Sequence, residues 1–269
     1  HALELNEAAK AANVTVKGHI KLDTGMSRAG LFAQGHDAAM KAAEAAERMS
    51  KLSNVKVTGM YTHFCVADTP DQDEFTAWQL ENYKTVMNYL TEKGLRPETC
   101  HTSNSAGILY HPETQIDMVR EGVILYGMYP DSMPQYGPLK PVMTLKSHVS
   151  QVRDFPAGAT VSYGRTFKGD KPFTTAVVLA GYADGYPRRL SNNTTVTING
   201  VRYPQAGRIC MDMCMVLADK DKVKRGDEVT LIGGNSISWE DAAQKVGTIN
   251  YELTCLVTNR VPRVYINED

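Results

Sequence analysis

The sequence predicts a chain in two parts, an α/β unit with parallel strands over residues 1–130 and a mainly β domain over residues 141–269. Three observations carry this prediction. β-Branched apolar runs alternate with runs of helical spacing up to about residue 125. A stretch rich in Pro and Gly, from Pro130 to Pro141, then interrupts the chain. Beyond it, short β-branched runs recur between Gly, Asn and Asp turns.

Ala2 to Ala12 holds strong helix formers with no capping residue in front. A start inside a helix leads to the expectation that further sequence precedes residue 1. Val14–Leu22 reads as a strand, Gly35–Met49 as an Ala-rich helix and Val55–Phe64 as a second strand. Asp71–Lys93 follows as a helix, with Phe75, Trp78, Tyr83, Val86 and Leu90 near helical spacing. A short strand is expected before His101, a helix after Ser105 and a fourth strand through Met118 to Leu125. Strands that alternate with helical crossovers pair in parallel. Units of this kind make up the C-terminal half of a (β/α)8 barrel, and an open half barrel would expose two strand edges.

Past the Pro-rich boundary the expected strands are Val142–Val152, Ala159–Tyr163, Thr174–Ala180, Thr194–Ile198, Cys210–Leu217 and Glu228–Ile232. Asn199-Gly200 and Gly233-Gly234-Asn235 supply turns. A helix is expected after Ser238, an N-cap with Asp241 at the third helical position.

Composition excludes several function classes. Apolar residues make up 42% and charged residues 22%, an ordinary globular balance. A net charge of −1 provides no broad field for nucleic acid or acidic lipid. No apolar run approaches the roughly 18 residues of a membrane span, and the first residues do not read as a signal peptide, so none is expected. The five cysteines lie far apart without a C-x-x-C pair. They read as buried free thiols in a reducing, cytoplasmic setting, and no metal site is expected.

Among single residues, Arg120 stands out because it sits in the apolar run Val119 to Tyr126, where a buried charge needs partners. Tyr163 in Ser162-Tyr163-Gly164 could be a strand-end tyrosine or a proton carrier. A tyrosine is a poor base unless cations or hydrogen bonds lower its pKa. Asn104-Ser105 alone is a common helix-cap pair.

Taken together, the following segments are far more specific. Lys21-Leu22-Asp23-Thr24-Gly25-Met26-Ser27-Arg28, Tyr61-Thr62-His63-Phe64, His101 with Asn104-Ser105, Val119 to Gly127, Val161 to Thr166, and the pair Tyr182 to Arg188 and Gly207 to Met213 occur in one order along the chain. They resemble the amino-acid racemases that use pyridoxal 5'-phosphate, alanine racemase above all. The resemblance covers nearly all 269 residues. The family's cofactor-linking lysine lies in a segment like V-K-A-N-A-Y-G, which is not recognisable in this sequence.

The resemblance implies interconversion of L- and D-alanine for peptidoglycan precursors, by two bases on opposite faces of the substrate carbon. It also implies a cytoplasmic homodimer with shared active sites. It makes Tyr163 the catalytic tyrosine, acting in the partner subunit's site, with His63 hydrogen-bonded to it and Arg120 facing the cofactor's pyridine nitrogen. His101 and Asn104 belong to the cofactor site. The phosphate would rest on Ser105, the amides of Gly122 and Val123, and Tyr251. Arg28 would touch the cofactor and the substrate carboxylate, with Lys21 as a carbamate beside it. Met211 and Tyr182 would meet the substrate, and Asp68, Arg188 and Arg208 would line the entry channel. Three other readings remain open: a serine or broad-specificity racemase, a non-catalytic fragment without the cofactor lysine, and, on a weaker footing, a metal-dependent relative on the same scaffold. Tyr251 favours the small methyl substrate over serine.

Overall fold

The computed structural model describes residues 1–130 and 137–266. Residues 131–136, inside the expected linker, lie outside the described residues and so do 267–269. The chain divides into two compact units, one built on His1–Leu125 and the other on residues 126–130 and 138–266.

The first unit opens with helix α1 (Ala2–Ala11) and strands β1 (Val16–Asp23) and β2 (Leu31–Phe32). Helix α2 (His36–Ser50), strand β3 (Val55–Tyr61), helix α3 (Asp73–Glu92), strand β4 (Thr99–His101) and helix α4 (Ser105–Tyr110) follow. The four strands form one parallel sheet in the order β2-β1-β3-β4. Helical crossovers are what allow parallel pairing, as the alternating sequence predicts.

Helix α2 presents Ala39, Ala42, Ala43 and Ala46 to the core, all buried. Methyl-sized side chains allow close approach, and they join Ile20, Leu22, Met60, Tyr83, Val86 and Leu90 in one cluster. The Tyr83 hydroxyl donates to the Met60 carbonyl at 2.8 Å, so its burial leaves no orphan donor.

One expected element is absent. No strand forms over Met118–Leu125; residues 123–126 make a short 3₁₀ turn instead. Only isolated backbone bonds reach the β4 region, Asp117 N–H to Cys100 O and Arg120 N–H to Ser103 O, both 3.0 Å. Two separate bonds do not make a ladder, and Leu125 remains 62% exposed. The apolar run mimics a buried strand but is only partly buried.

The second unit contains β5 (Leu145–Phe155), β6 (Thr160–Val161), β7 (Phe167–Lys168), β8 (Phe173–Val178), β9 (Thr195–Ile198), β10 (Val201–Pro204), β11 (Cys214–Leu217) and β12 (Glu228–Ile232). Helices α5 (Trp239–Val246) and α6 (Asn250–Leu256) close it. Six strands form an antiparallel sheet in the order β10-β9-β12-β5-β8-β11, and β6-β7 form a small hairpin. The β-rich reading holds, while β7, β10 and α6 were not foreseen. Ser238 caps α5 as expected, accepting from Asp241 N–H at 2.9 Å.

The cysteine expectation needs one correction. Cys100 and Cys214 are buried and Cys65 and Cys210 partly so, but Cys255 is exposed on α6. Burial pushes the Cys214 thiol up to about 12. Among the described residues no helix is long and apolar enough to cross a membrane, and no group of three or more metal-binding side chains occurs.

Candidate active site

The C-terminal ends of β1, β3 and β4 carry Lys21, Tyr61 with His63 two residues on, and His101. Parallel strands present their functional side chains at this edge, because the loops that follow can converge there. Arg120 enters between them. Its Nη1 lies 2.7 Å from His101 Nδ1. Its Nη2 donates to Thr62 O at 2.8 Å and Thr102 O at 3.0 Å, and lies 3.5 Å from His63 Nδ1. These partners are carbonyls and imidazoles, so the guanidinium is anchored without a carboxylate to neutralise it. The Tyr61 ring packs beside it, 5.5 Å from the guanidinium carbon, and stacks on His101 at 5.0 Å.

Burial and that charge together depress the histidines. Burial, then the Arg120 charge, lowers both His63 and His101 to about 4. Both rings are therefore neutral near pH 7. Arg28 and Lys21 add smaller effects on His63, which places their charges within reach of this ring. Arg28 itself is exposed and Lys21 half-buried, with its ammonium 5.9 Å above the Tyr61 ring centre. Asp68 is half-buried beside Cys65, whose thiol it helps to raise.

Asn104 caps α4, accepting from Gly107 N–H at 3.0 Å, and its amide donates to Phe64 O at 3.1 Å and faces His63 Nε2 at 3.5 Å. Ser105 Oγ accepts from Gly122 N–H at 2.9 Å. A Cβ at Gly122 would fall 3.2 Å from that hydroxyl, and Val123 beside it is buried.

The second unit brings three motif loops together. Ser162 Oγ donates to Arg208 O at 2.6 Å, joining the Tyr163 turn to the Gly207–Met213 loop. Tyr182 N–H donates to Cys210 O and Ala183 N–H to Met211 O, both at 3.0 Å. Gly181 has no room for a side chain, because a Cβ would collide with the carbonyls of Cys210 and Met211. Arg260, which the sequence did not single out, ties Asp184 (2.9 Å) to Asp212. Tyr163 occupies a short 3₁₀ turn rather than a strand end. Ser162 and Arg165 flank it with left-handed φ of 64° and 52°, a conformation that costs energy in non-glycine residues. Tyr163, Met211 and Tyr182 stand 69%, 53% and 44% exposed. Arg188 is exposed on a neighbouring turn, Arg208 lies over the Tyr163 turn at the Gly164 backbone, and Tyr251 opens α6 partly exposed.

Residues 1–130 match the family model described as "Alanine racemase, N-terminal domain", and residues 142–265 match "Alanine racemase, C-terminal domain". The chain belongs to the alanine racemase family. It is 42% identical to the alanine racemase of Clostridium novyi, over 99% of this chain and 69% of that protein. It is also 42% identical to that of Carboxydothermus hydrogenoformans, over 98% and 72%. Among solved structures, the alanine racemase of Streptomyces coelicolor superposes with a TM-score of 0.90 at 37% identity, covering 99% of this chain and 70% of that one. The Clostridium difficile 630 enzyme superposes at 0.89 and 38%, covering 98% and 68%. A family of isomerases on this barrel-plus-β architecture accounts for both units.

Tyr61 and His19 lie beside Arg120 and His101, and the sequence assigned neither of them a role. His19 and Lys21 are an i, i+2 pair within β1 and so share a face of that strand, a spacing that could have drawn attention to His19.

Proposed function

We propose that the chain acts as an alanine racemase with pyridoxal 5'-phosphate, interconverting L- and D-alanine for peptidoglycan precursors in the cytoplasm. Arg120 carries this reading. It is a fully anchored cation with neutral partners at the C-terminal ends of three parallel strands. The residues present suit the cofactor. Arg120 offers a donor to a ring nitrogen, Ser105 Oγ keeps its own proton to donate to a phosphate while it accepts from Gly122 N–H, and Gly122, Val123, Tyr251, His101 and Asn104 complete the assigned set. Pyridoxal phosphate supplies an electron sink for the pair left when an α-proton is removed.

The chain's own residues hold the cofactor and the substrate and serve one face of its carbon; the family's second base, the cofactor-linking lysine, is not recognisable in this sequence. Arg120 keeps its proton across the working pH range, so it orients the ring without protonating it. Burial and Arg120 keep His63 neutral, ready to accept a hydrogen bond from a tyrosine hydroxyl. Tyr163 moves the proton on one face of the substrate carbon. The Met211 amide and Arg28 hold the substrate carboxylate, Tyr182 bounds the pocket, and Asp68, Arg188 and Arg208 line the approach. Lys21, as a carbamate, would give Arg28 an anionic neighbour. Exposure of Tyr163, Met211 and Tyr182 supports a homodimer in which these side chains serve a second copy's site.

The test supplies purified protein with pyridoxal phosphate and L-alanine in D2O. α-Proton loss and D-alanine are followed by NMR, and cofactor binding by absorbance. Tyr163→Phe should lower turnover at least about 100-fold, the scale of one lost general acid–base group, with cofactor binding unchanged. Near-normal turnover in that variant removes Tyr163 from catalysis. Absence of cofactor binding in the parent protein refutes the function. Comparing kcat/KM for alanine and serine checks the substrate.

A further inference from the structure

A line of hydrogen bonds runs away from Arg120 and ends on a strand that the reaction does not otherwise use. Arg120 Nη1 lies 2.7 Å from His101 Nδ1, and His101 Nε2 lies 2.9 Å from His19 Nδ1. The donor assignments along this line are forced. A guanidinium has donors only, so His101 Nδ1 must accept. A neutral imidazole that accepts at Nδ1 carries its proton on Nε2. That proton points at His19 Nδ1, which must accept in turn, leaving the proton of His19 on Nε2. The low pKa of His101, held at about 4 by burial and then by Arg120 and His19, keeps its ring in the single-proton form that this order requires.

The seat of His19 is built from bare backbone. A register shift between Gly18 and His19 sets His19 opposite Gly59 on β3. A Cβ at Gly59 would fall 2.5 Å from Cε1 and Nδ1 of His19 and 2.6 Å from Cδ2. Gly59 does not have a positive φ, so its backbone conformation does not call for glycine. The His19 ring does, because it occupies the space that any side chain there would fill. On the far side of His101, Tyr61 stacks with an interplanar angle of 3°. His101 is thus held by Tyr61 on its face and by Arg120 and His19 at its two nitrogens. The other charged or titratable groups around this line are Lys21, His63, Arg28, Tyr61 and Tyr83.

We propose that His19, seated on Gly59, is a positioning residue: it accepts the Nε2 proton of His101, fixes that ring's tautomer, and so keeps His101 Nδ1 a permanent acceptor that aims the Arg120 guanidinium. The proposal rests on the reading of Arg120 as the cofactor's ring-nitrogen partner for its consequence in the reaction. Its structural content stands without the cofactor.

The experiment is long-range proton–nitrogen NMR on the purified protein with 15N-labelled histidine, recorded without and then with added pyridoxal phosphate. In the parent protein His101 and His19 should both appear as Nε2–H tautomers. His19→Leu, which offers no acceptor, should speed exchange of the His101 Nε2 proton with water at least about tenfold, the loss of roughly one hydrogen bond. Gly59→Ala should do the same by displacing the His19 ring, with both histidines left in the sequence. His19→Gln should restore slow exchange, since its amide oxygen can accept. Circular dichroism checks that each variant is folded, and His19→Leu and His19→Gln decide the matter if Gly59→Ala is not. An Nδ1–H tautomer at His101 in the parent overturns the proposal. So does parent-like exchange in folded His19→Leu, or no recovery in folded His19→Gln. If the function above were wrong, adding pyridoxal phosphate would leave the absorbance unmoved, a result separate from the tautomers.

Discussion

The two depressed histidines predict that the first unit loses stability in mild acid, in a definite window. His63 and His101 titrate at an ordinary 6.5 in an unfolded chain and at about 4 in the fold. Between these values the unfolded chain binds more protons than the folded one, so unfolding becomes easier as pH falls. The stability is fully present above about pH 6.5 and is lost by about pH 4, with no further loss from these groups below that. At about 1.4 kcal/mol per pH unit the ceiling is about 3 kcal/mol per histidine. Solvent reaches His63, so after discounting for screening about 2 kcal/mol for each is expected, or about 4 together. The lowered carboxylates enter only at the acid end of the window. Asp117, lowered chiefly by its hydrogen bonds with Arg96, and Glu47, lowered chiefly by Lys51, contribute only below their ordinary values of 3.8 and 4.5. The chain has two tryptophans, so Trp239→Phe leaves Trp78 on α3 as a fluorescent reporter of the first unit. Urea unfolding at about pH 7 and about pH 4.5 gives the difference. His63→Gln should remove roughly half of the pH dependence. Stability constant to within about 0.5 kcal/mol across that range, or an undiminished slope in His63→Gln, would refute the argument.

Gly181→Ala should separate the Tyr182 loop from the Cys210–Met211 loop, because a Cβ cannot fit against those carbonyls. A cost of about 2–4 kcal/mol is expected in unfolding of the second unit, seen as a lowered Tm, with larger backbone amide shifts around Tyr182 and Met211 than elsewhere. Thiol titration should find Cys255 reacting first and Cys100 and Cys214 last, the two buried thiols becoming available only on unfolding. Rapid labelling of Cys214 in the native protein would contradict its place in the core.

Local chemistry in the sequence was enough for the parallel α/β half, the β-rich half and the cap at Ser238, since period, β-branching and turn residues act over a few residues. The family motifs were legible for the same reason, being contiguous runs around Arg28, His63, Arg120, Tyr163, Tyr182 and Met211. Met118–Leu125 misled because an apolar run reads the same whether or not a neighbour completes a ladder, and here only isolated bonds form. The Arg260 link between Asp184 and Asp212 joins residues distant in sequence, and no local pattern announces it. The His19 seat depends on a one-residue shift in strand register beside Gly18, which decides which side chain faces Gly59. Residue types and their spacing therefore determined the elements and the motif residues by themselves. Only the tertiary structure decided which neutral groups surround the Arg120 charge and which tautomer His101 must hold, because hydrogen-bond direction and desolvation are properties of assembled neighbours.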